Sequence, residues 1–246
     1  MSQLNRESLA RTLILLGFFL LLFSLIITDQ LTLYVHPRIV MLIEMSAGLL
    51  FMMFLLQGWK LSKTWNKPTE ECKHWKYMPF VFTLLVALIL PNTSLNASLV
   101  SNKGVNSQVT TEISKKDYRP LAPEMRQTDL IKVDDNNFVD VMSELYRYPQ
   151  EYVGKQIEMS GFVFKDESTP QDQFSLIRYV VGCCVADALP SGPSCEINNA
   201  TEYSDGSWYQ IQGTIENSEE NGKAVPVIKV TWTRPIHEKS SPYIFR

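Results

Sequence analysis

Three apolar runs lie between Leu9 and Leu90 of this 246-residue chain, and they restrict its fold more than any other feature. A bilayer core about 30 Å thick takes roughly 20 apolar residues as a helix. Leu9 to Thr28 meets that length, with no charged residue between Leu13 and Ile27. Ile39 to Gln57 meets it too, broken only by Glu44. Lys76 to Leu90 is shorter and stops at Pro91-Asn92, with Trp75 and Tyr77 placed where interfacial rings are common. Hydrocarbon leaves backbone polar groups no partner but each other, so each run reads as a helix. The expectation is a region of about three transmembrane helices over residues 1–95. Cleavage as a signal peptide after the first run is disfavoured, because the second run follows closely and no small-x-small pattern stands near Thr28. Asn96-Ala97-Ser98 is slightly closer to a processing site, but cleavage there is disfavoured as well.

Lysine and arginine in the short loops set the orientation. The loop between the second and third runs carries Lys60, Lys63, Lys67, Lys73 and Lys76, against Arg38 alone in the first loop. The second loop is therefore expected in the cytoplasm, together with the N-terminal tail that holds Arg6 and Arg11. Three crossings then deliver residues 96–246 to the extracytoplasmic side.

Glu44 is the one carboxylate inside an expected span. Intramembrane acids are costly and mark polar cavities, partner helices or ion paths. Val40, Glu44 and Gly48 share a helix face, with Ala47 close by, which suits close helix packing. His36-Pro37-Arg38 stands just before this helix, and proline in a first turn is ordinary helix-start chemistry. Cys72 and His74 in the basic loop form at most half a metal site, with no third ligand nearby.

Residues 96–127, rich in Asn, Ser, Thr, Lys and Pro, read as a linker, and residues 128–246 as a folded, mostly-β domain. Ile131 to Val133 reads as a short strand. Phe138, Val139, Met142, Leu145 and Tyr146 have helical spacing, ended by Pro149. Strands are expected at Lys155–Phe164, Phe174–Val181, Ser207–Ile215 and Val225–Thr233, the last with Ile228, Val230 and Trp232 on one face. Gly161 and Gly213 inside strands indicate bulges or tight bends. Curled strands with one helix at the edge point to a small barrel of the OB type. A formal net charge of -3 with no basic tail argues against nucleic acid as a partner.

Three of the four cysteines, Cys183, Cys184 and Cys195, fall close together in this domain. Gly182 ends an apolar strand, and Cys183 to Ala188 fits one helical turn that sets Asp187 on the face of both Cys183 and Cys184. Ser191-Gly192-Pro193 is expected to turn Cys195 back toward the pair. Three readings stay open: a disulfide from one of the pair to Cys195, permitted outside the cytoplasm; a thiolate-bound soft metal or metalloid on Cys183, Cys184 and Asp187, completed by Cys195 or His237; and buried or redox-active thiols.

The run Cys183-Cys-Val-Ala-Asp-Ala188 resembles the Cys-Cys-x-Ala-Asp-Ala segment of the YcgQ-like permease-subunit family. Tyr34-Val-His-Pro-Arg38, Tyr152-Val-Gly-Lys155 leading into Ser160-Gly-Phe-Val163, Trp208 with Gly213, and Pro242-Tyr243 agree with it across nearly the whole chain. Cys195 is not part of that family pattern. The resemblance implies a membrane region followed by an extracytoplasmic domain, and a larger multi-spanning permease encoded alongside. That companion is similar to proteins linked to arsenical or other ion export. The leading expectation is an accessory subunit of a two-component permease, anchored in lipid, whose outer domain binds or gates an ion, metal or metalloid. A membrane-anchored thiol oxidoreductase is a second reading, weakened by the lack of a Cys-x-x-Cys pair and by a single histidine, His237, in the domain. A third is an OB-like module for a peptide or cell-envelope ligand, with Trp208, Tyr209 and Trp232 as contacts.

Overall fold

The computed structural model describes residues 6–63, 74–89, 100, 119–167, 169–220, 222–237 and 243–246. Cys72, the Asn96-Ala97-Ser98 segment and most of the expected linker lie outside the described residues. The chain divides into two compact units, Met1–Thr93 and Ser94–Arg246.

In the first unit, α1 (Arg6–Ile27) and α2 (Pro37–Lys63) are long, and α3 (Met78–Ile89) is short. Two stretches, Ser8–Ile27 and Pro37–Lys60, are long and apolar enough to cross a membrane; the third apolar helix, Trp75–Ile89, falls below that length. Among the described residues two helices have the length of a full span, so the sequence expectation of about three holds as an approximate number. Phe19 of α1 meets Phe51 of α2 at 4.9 Å between ring centroids, and Gln57 Nε2 donates to Ser8 Oγ at 3.3 Å. Gly17 lets α3 approach α1: a Cβ there would stand 2.9 Å from Leu84 Cδ1.

The His36-Pro37-Arg38 segment starts α2. The His36 carbonyl accepts the Ile39 N–H at 2.8 Å, and its Nδ1 accepts the Arg38 N–H at 3.0 Å. His36 is buried and Arg38 is exposed. Two of the N–H groups that a helix start leaves without intrahelical partners are satisfied this way.

The second unit contains α4 (Ala122–Gln127), β1 (Leu130–Lys132), α5 (Phe138–Arg147), β2 (Gln156–Phe164), β3 (Gln173–Val181), β4 (Leu189–Ser191), β5 (Ser194–Glu196), β6 (Trp208–Glu220), β7 (Lys223–Pro235) and β8 (Tyr243–Phe245). The pairings β2–β6, β6–β7, β7–β5, β5–β3 and β3–β2 return to their starting strand, so these five strands close into a barrel. All are antiparallel except β5–β7. This small closed Greek-key barrel is OB-like, as expected. Closure leaves the five strands without a free edge to aggregate. Ile157, Met159, Phe174, Leu176, Ile211, Ile215 and Ile228 fill it, and Phe138, Val141, Met142 and Leu145 of α5 pack on the same core. Residues 122–127, read as linker, instead form α4, because Met125 reaches the core.

Two glycines carry the strain of closure. A Cβ at Gly161 would stand 2.7 Å from the Ile177 carbonyl oxygen across the β2–β3 seam, and one at Gly213 would stand 2.5 Å from that of Lys229. The β6–β7 register slips by one residue at Gln212/Gly213, so the alternation along β7 inverts after Val230. Val230 therefore faces the core while Trp232 is 45 % exposed, which corrects the expectation that Ile228, Val230 and Trp232 share a face. Thr233 takes the inward position, and its Oγ1 bonds the Tyr203 hydroxyl at 3.0 Å.

Candidate functional site: a thiol and carboxylate turn at the end of β3

Strand β3 serves two sheets. Its first residues pair with β5 and β2 inside the barrel, up to Ile177. From Arg178 to Val181 it leaves the barrel and runs between β4 on one side and β8 on the other. Arg178 pairs with Ser191, Tyr179 with Pro190 and Val180 with Leu189, so β3 and β4 form a hairpin. Its tip is residues 182–188, the most distinctive stretch of the sequence. On the far side Tyr243, Ile244 and Phe245 pair in parallel with Tyr179, Val180 and Val181. The Arg246 N–H donates to the Val181 carbonyl at 3.2 Å, immediately before the tip. The last four residues of the chain thus brace the base of the turn. Only the Pro242-Tyr243 match hinted at this brace in the sequence.

Within the tip, Val185–Asp187 make one 3-10 turn, with the Asp187 N–H donating to the Cys184 carbonyl at 3.0 Å. That turn folds the Asp187 side chain back over the start of the loop. Its Oδ1 accepts the Gly182 N–H at 3.0 Å and its Oδ2 accepts the Cys183 N–H at 2.7 Å. Gly182 leaves room for this: a Cβ would stand 3.1 Å from Asp187 Oδ2. Cys183 Sγ and Cys184 Sγ are 3.8 Å apart. The two sulfurs and a carboxylate oxygen of Asp187 all lie within 4.8 Å of one another. Cys183 and Asp187 are exposed and Cys184 is half-buried, so the group is open to solvent.

Desolvation pushes the Asp187 acid upward, but the N–H groups of Cys183, Gly182 and Cys184 and the Cys183 thiol outweigh it, and the carboxyl is held below its usual range. The same hydrogen bond to Asp187, followed by the one to Cys184, pushes the Cys183 thiol up to about 11. Near neutral pH the turn is therefore a carboxylate beside a protonated Cys183 thiol. A cation that draws off the thiol proton would meet a donor set of two soft sulfurs and one hard oxygen.

The structure does not bring Cys195 to this group. Cys195 pairs with Phe174 at the beginning of β3, and with Ile228 of β7, deep in the barrel. Seven residues of extended strand separate Phe174 from Val181, roughly 23 Å at 3.3 Å per residue. Ser191-Gly192-Pro193 does not turn the chain: β4 and β5 run on in one direction along the same edge of β3, with Ser191 opposite Arg178, Ser194 opposite Ser175, and the Leu176 N–H donating to the Pro193 carbonyl at 3.1 Å between them. A Cβ on Gly192 would stand 1.9 Å from the Leu176 carbonyl oxygen of the facing strand. Cys195 is fully buried, and that burial raises its thiol well above the ordinary range. Cys183, Cys184 and Cys195 are all free thiols. His237 is exposed and stands outside the group, and Glu44 lies in the other unit, on α2.

Trp208 is core, 8 % exposed and beside Phe162 at 5.8 Å between centroids. Tyr209 is half-buried against Tyr203. No stacking platform is formed by Trp208, Tyr209 and Trp232 together, since only Trp232 is exposed.

Residues 108–246 match the DUF1980 C-terminal domain, and residues 10–106 match the DUF1980 N-terminal domain. The chain belongs to the DUF1980 family. The UPF0703 protein YcgQ of Bacillus subtilis (strain 168) is 25% identical to this DUF1980 chain over 282 residues, covering 96% of the chain and 99% of the relative. A Streptococcus mutans serotype c protein, named as a subunit of a two-component membrane permease complex, is 22% identical over 273 residues, covering 96% and 98%. The likeness to YcgQ agrees with the resemblance drawn from the Cys-Cys-Val-Ala-Asp-Ala run. Both DUF1980 halves are present, one holding the apolar helices and the other the barrel with its thiol turn.

Proposed function

We propose that this chain is the accessory subunit of a two-component membrane permease, and that its barrel domain captures a soft metal or metalloid cation outside the cytoplasm for passage to the larger subunit. The observation that carries the reading is the convergence of Cys183, Cys184 and Asp187 on one exposed turn. Four features favour capture and release over a structural metal role. The ligand atoms are solvent-accessible, they are three in number, they sit at a hairpin tip, and the barrel core is filled without them. Closed four-ligand sites are the structural kind, and open ones exchange ligands. The Streptococcus mutans relative, named as a subunit of a two-component membrane permease complex, supports the two-component part of the reading.

The lysine-rich loop between α2 and α3 supports an extracytoplasmic barrel, because positive loops stay in the cytoplasm and α3, taken as the third crossing, then carries the chain out. A thiol enzyme is the weaker reading. The nucleophile in such chemistry is the thiolate, and Asp187 holds the Cys183 proton on up to about 11.

Two measurements on the full-length protein test the proposal. Cadmium or zinc is titrated into detergent-solubilised, reduced protein, and the thiolate-to-metal charge-transfer band of the cadmium form is followed. Cys183→Ser, Cys184→Ser and Asp187→Asn each weaken binding at least tenfold, and Cys195→Ala leaves it unchanged. Equal binding by the wild type and the Cys183→Ser, Cys184→Ser double variant would sink the cation site. In intact cells a membrane-impermeant maleimide labels the exposed Cys183; labelling that appears only after lysis would place the barrel in the cytoplasm.

A further inference from the structure

The second helix carries a carboxylate that no described residue of its own unit covers. Pro37–Lys60 is the apolar stretch of α2. At 1.5 Å per residue it is roughly 36 Å long, and Glu44 lies roughly 10 Å from its start. A hydrocarbon core of about 30 Å centred on that stretch puts the Glu44 backbone roughly 7 Å inside the apolar layer. A glutamate leaning toward the helix N-terminus regains part of that distance and not all of it. Glu44 is exposed and makes no hydrogen bond or ion pair with any other described residue. In lipid such a group faces a protein partner or a wet cavity.

The surroundings decide between these. Ala47 is buried one turn from Phe51, which meets Phe19 of α1. At 100° per residue, Met41, Glu44, Gly48, Met52, Leu55 and Trp59 fall within about 80° of arc, on a face whose middle lies about 100° round the helix from Ala47. Met41, Met52, Leu55 and Trp59 are 52–69% exposed. A Cβ built on Gly48 meets nothing within 4 Å, whereas Gly17 of α1 is spent on the close approach of Leu84. Small residues in spanning helices let another backbone come near. Gly48 is such a position one turn from the carboxylate, unused among the described residues.

We propose that this face of α2 is the docking surface for a membrane-spanning helix of the larger permease subunit, and that this helix presents a lysine or arginine to Glu44 while its backbone passes over Gly48. The partner is chosen by charge. A second copy of this chain would set like charge against like charge in a medium that screens neither, and lipid alone offers the carboxylate no donor. The inference rests on the two-component reading above, but not on the thiol turn.

The test uses the full-length chain in native membranes, co-produced with the multi-spanning protein expected to be encoded beside it. Co-purification is measured first. A benzophenone amino acid at position 52 then reports the neighbour of this face by photo-cross-linking and mass spectrometry. The expected product joins Met52's position to a spanning helix of the larger subunit that bears a basic residue at the depth of Glu44. Gly48→Leu and Glu44→Ala lower its yield at least tenfold, Glu44→Gln keeps an intermediate yield, and Leu88→Phe on α3 changes nothing. A cross-link to a second copy of the chain overturns the proposal. So does co-purification with no cross-link at position 52, or undiminished yield in both Gly48→Leu and Glu44→Ala. If the wild type fails to co-purify at all, the two-component reading falls and this inference falls with it, which is a separate result.

Discussion

Removing the Arg119 guanidinium should unsettle the barrel domain, and the structure indicates by how much. Arg119 Nε donates to Glu144 Oε1 at 3.0 Å and Oε2 at 3.2 Å, and Nη2 donates both to Glu144 and, at 2.9 Å, to Glu151 Oε2. The guanidinium lies 3.6 Å above the Tyr148 ring. Glu144 is buried on α5, with the Tyr152 hydroxyl donating to Oε1 at 2.6 Å. Its hydrogen bonds to Glu144 and then Glu151 raise the Arg119 pKa, so the cation persists at every accessible pH. Arg119→Met leaves the Glu144 carboxylate with one neutral donor inside the protein. Breaking a fully buried pair this way costs about 3–5 kcal/mol. The Arg119 side chain is 24% exposed, so water reaches the pair and the expected loss is smaller. We take about 2–3 kcal/mol, which lowers the unfolding midpoint by about 8 °C for a domain of this size. The assay is thermal unfolding of the full-length protein followed by near-ultraviolet circular dichroism, to which the buried Trp208 contributes. The Arg119→Met, Glu144→Gln double variant regains most of the loss, because the orphaned charge is gone. A single-variant shift under about 2 °C, or a double variant no better than the single, would refute the account of Glu144 as a buried, cation-dependent carboxylate.

Cation capture should strengthen with pH. The Cys183 thiol, pushed up to about 11, must release its proton to bind, while Asp187, held below its usual range, is already ionised at neutral pH. Binding constants measured from about pH 6 to pH 8 should rise about tenfold per unit for one released proton and up to about a hundredfold for two; a flat profile would show that the thiols are not the ligands. Gly192→Ala should disrupt the join of β4 and β5 along β3, since the added carbon would overlap the Leu176 carbonyl. The variant is expected to lose protease resistance throughout the barrel, and wild-type resistance would mean that the chain takes another path there.

The apolar runs, the helix at Phe138, the four long strands and the Cys-Cys-x-x-Asp turn were legible in the sequence, because each is written in local periodicity or composition. The three-residue strands β4, β5 and β8 were not, since segments so short have no period to detect. Their existence depends on long-range pairing with β3. The same limit explains Cys195. Eleven residues from Cys184, it lies within easy reach of the pair along the chain, but its distance in space is set by which end of β3 it pairs with. Trp232 failed for a related reason: a one-residue slip opposite Gly213 reverses the faces of β7, and nothing near Trp232 itself encodes that slip.

What the sequence determined by itself was the division of the chain into helices suited to hydrocarbon and a sheet suited to water, because burial patterns repeat at the period of the element that buries them. Tertiary structure alone decided which thiols meet. Closure of the barrel consumes Cys195 as core. The exit of β3 from the barrel, clasped between β4 and the chain's last residues, lifts Cys183, Cys184 and Asp187 into solvent as one group.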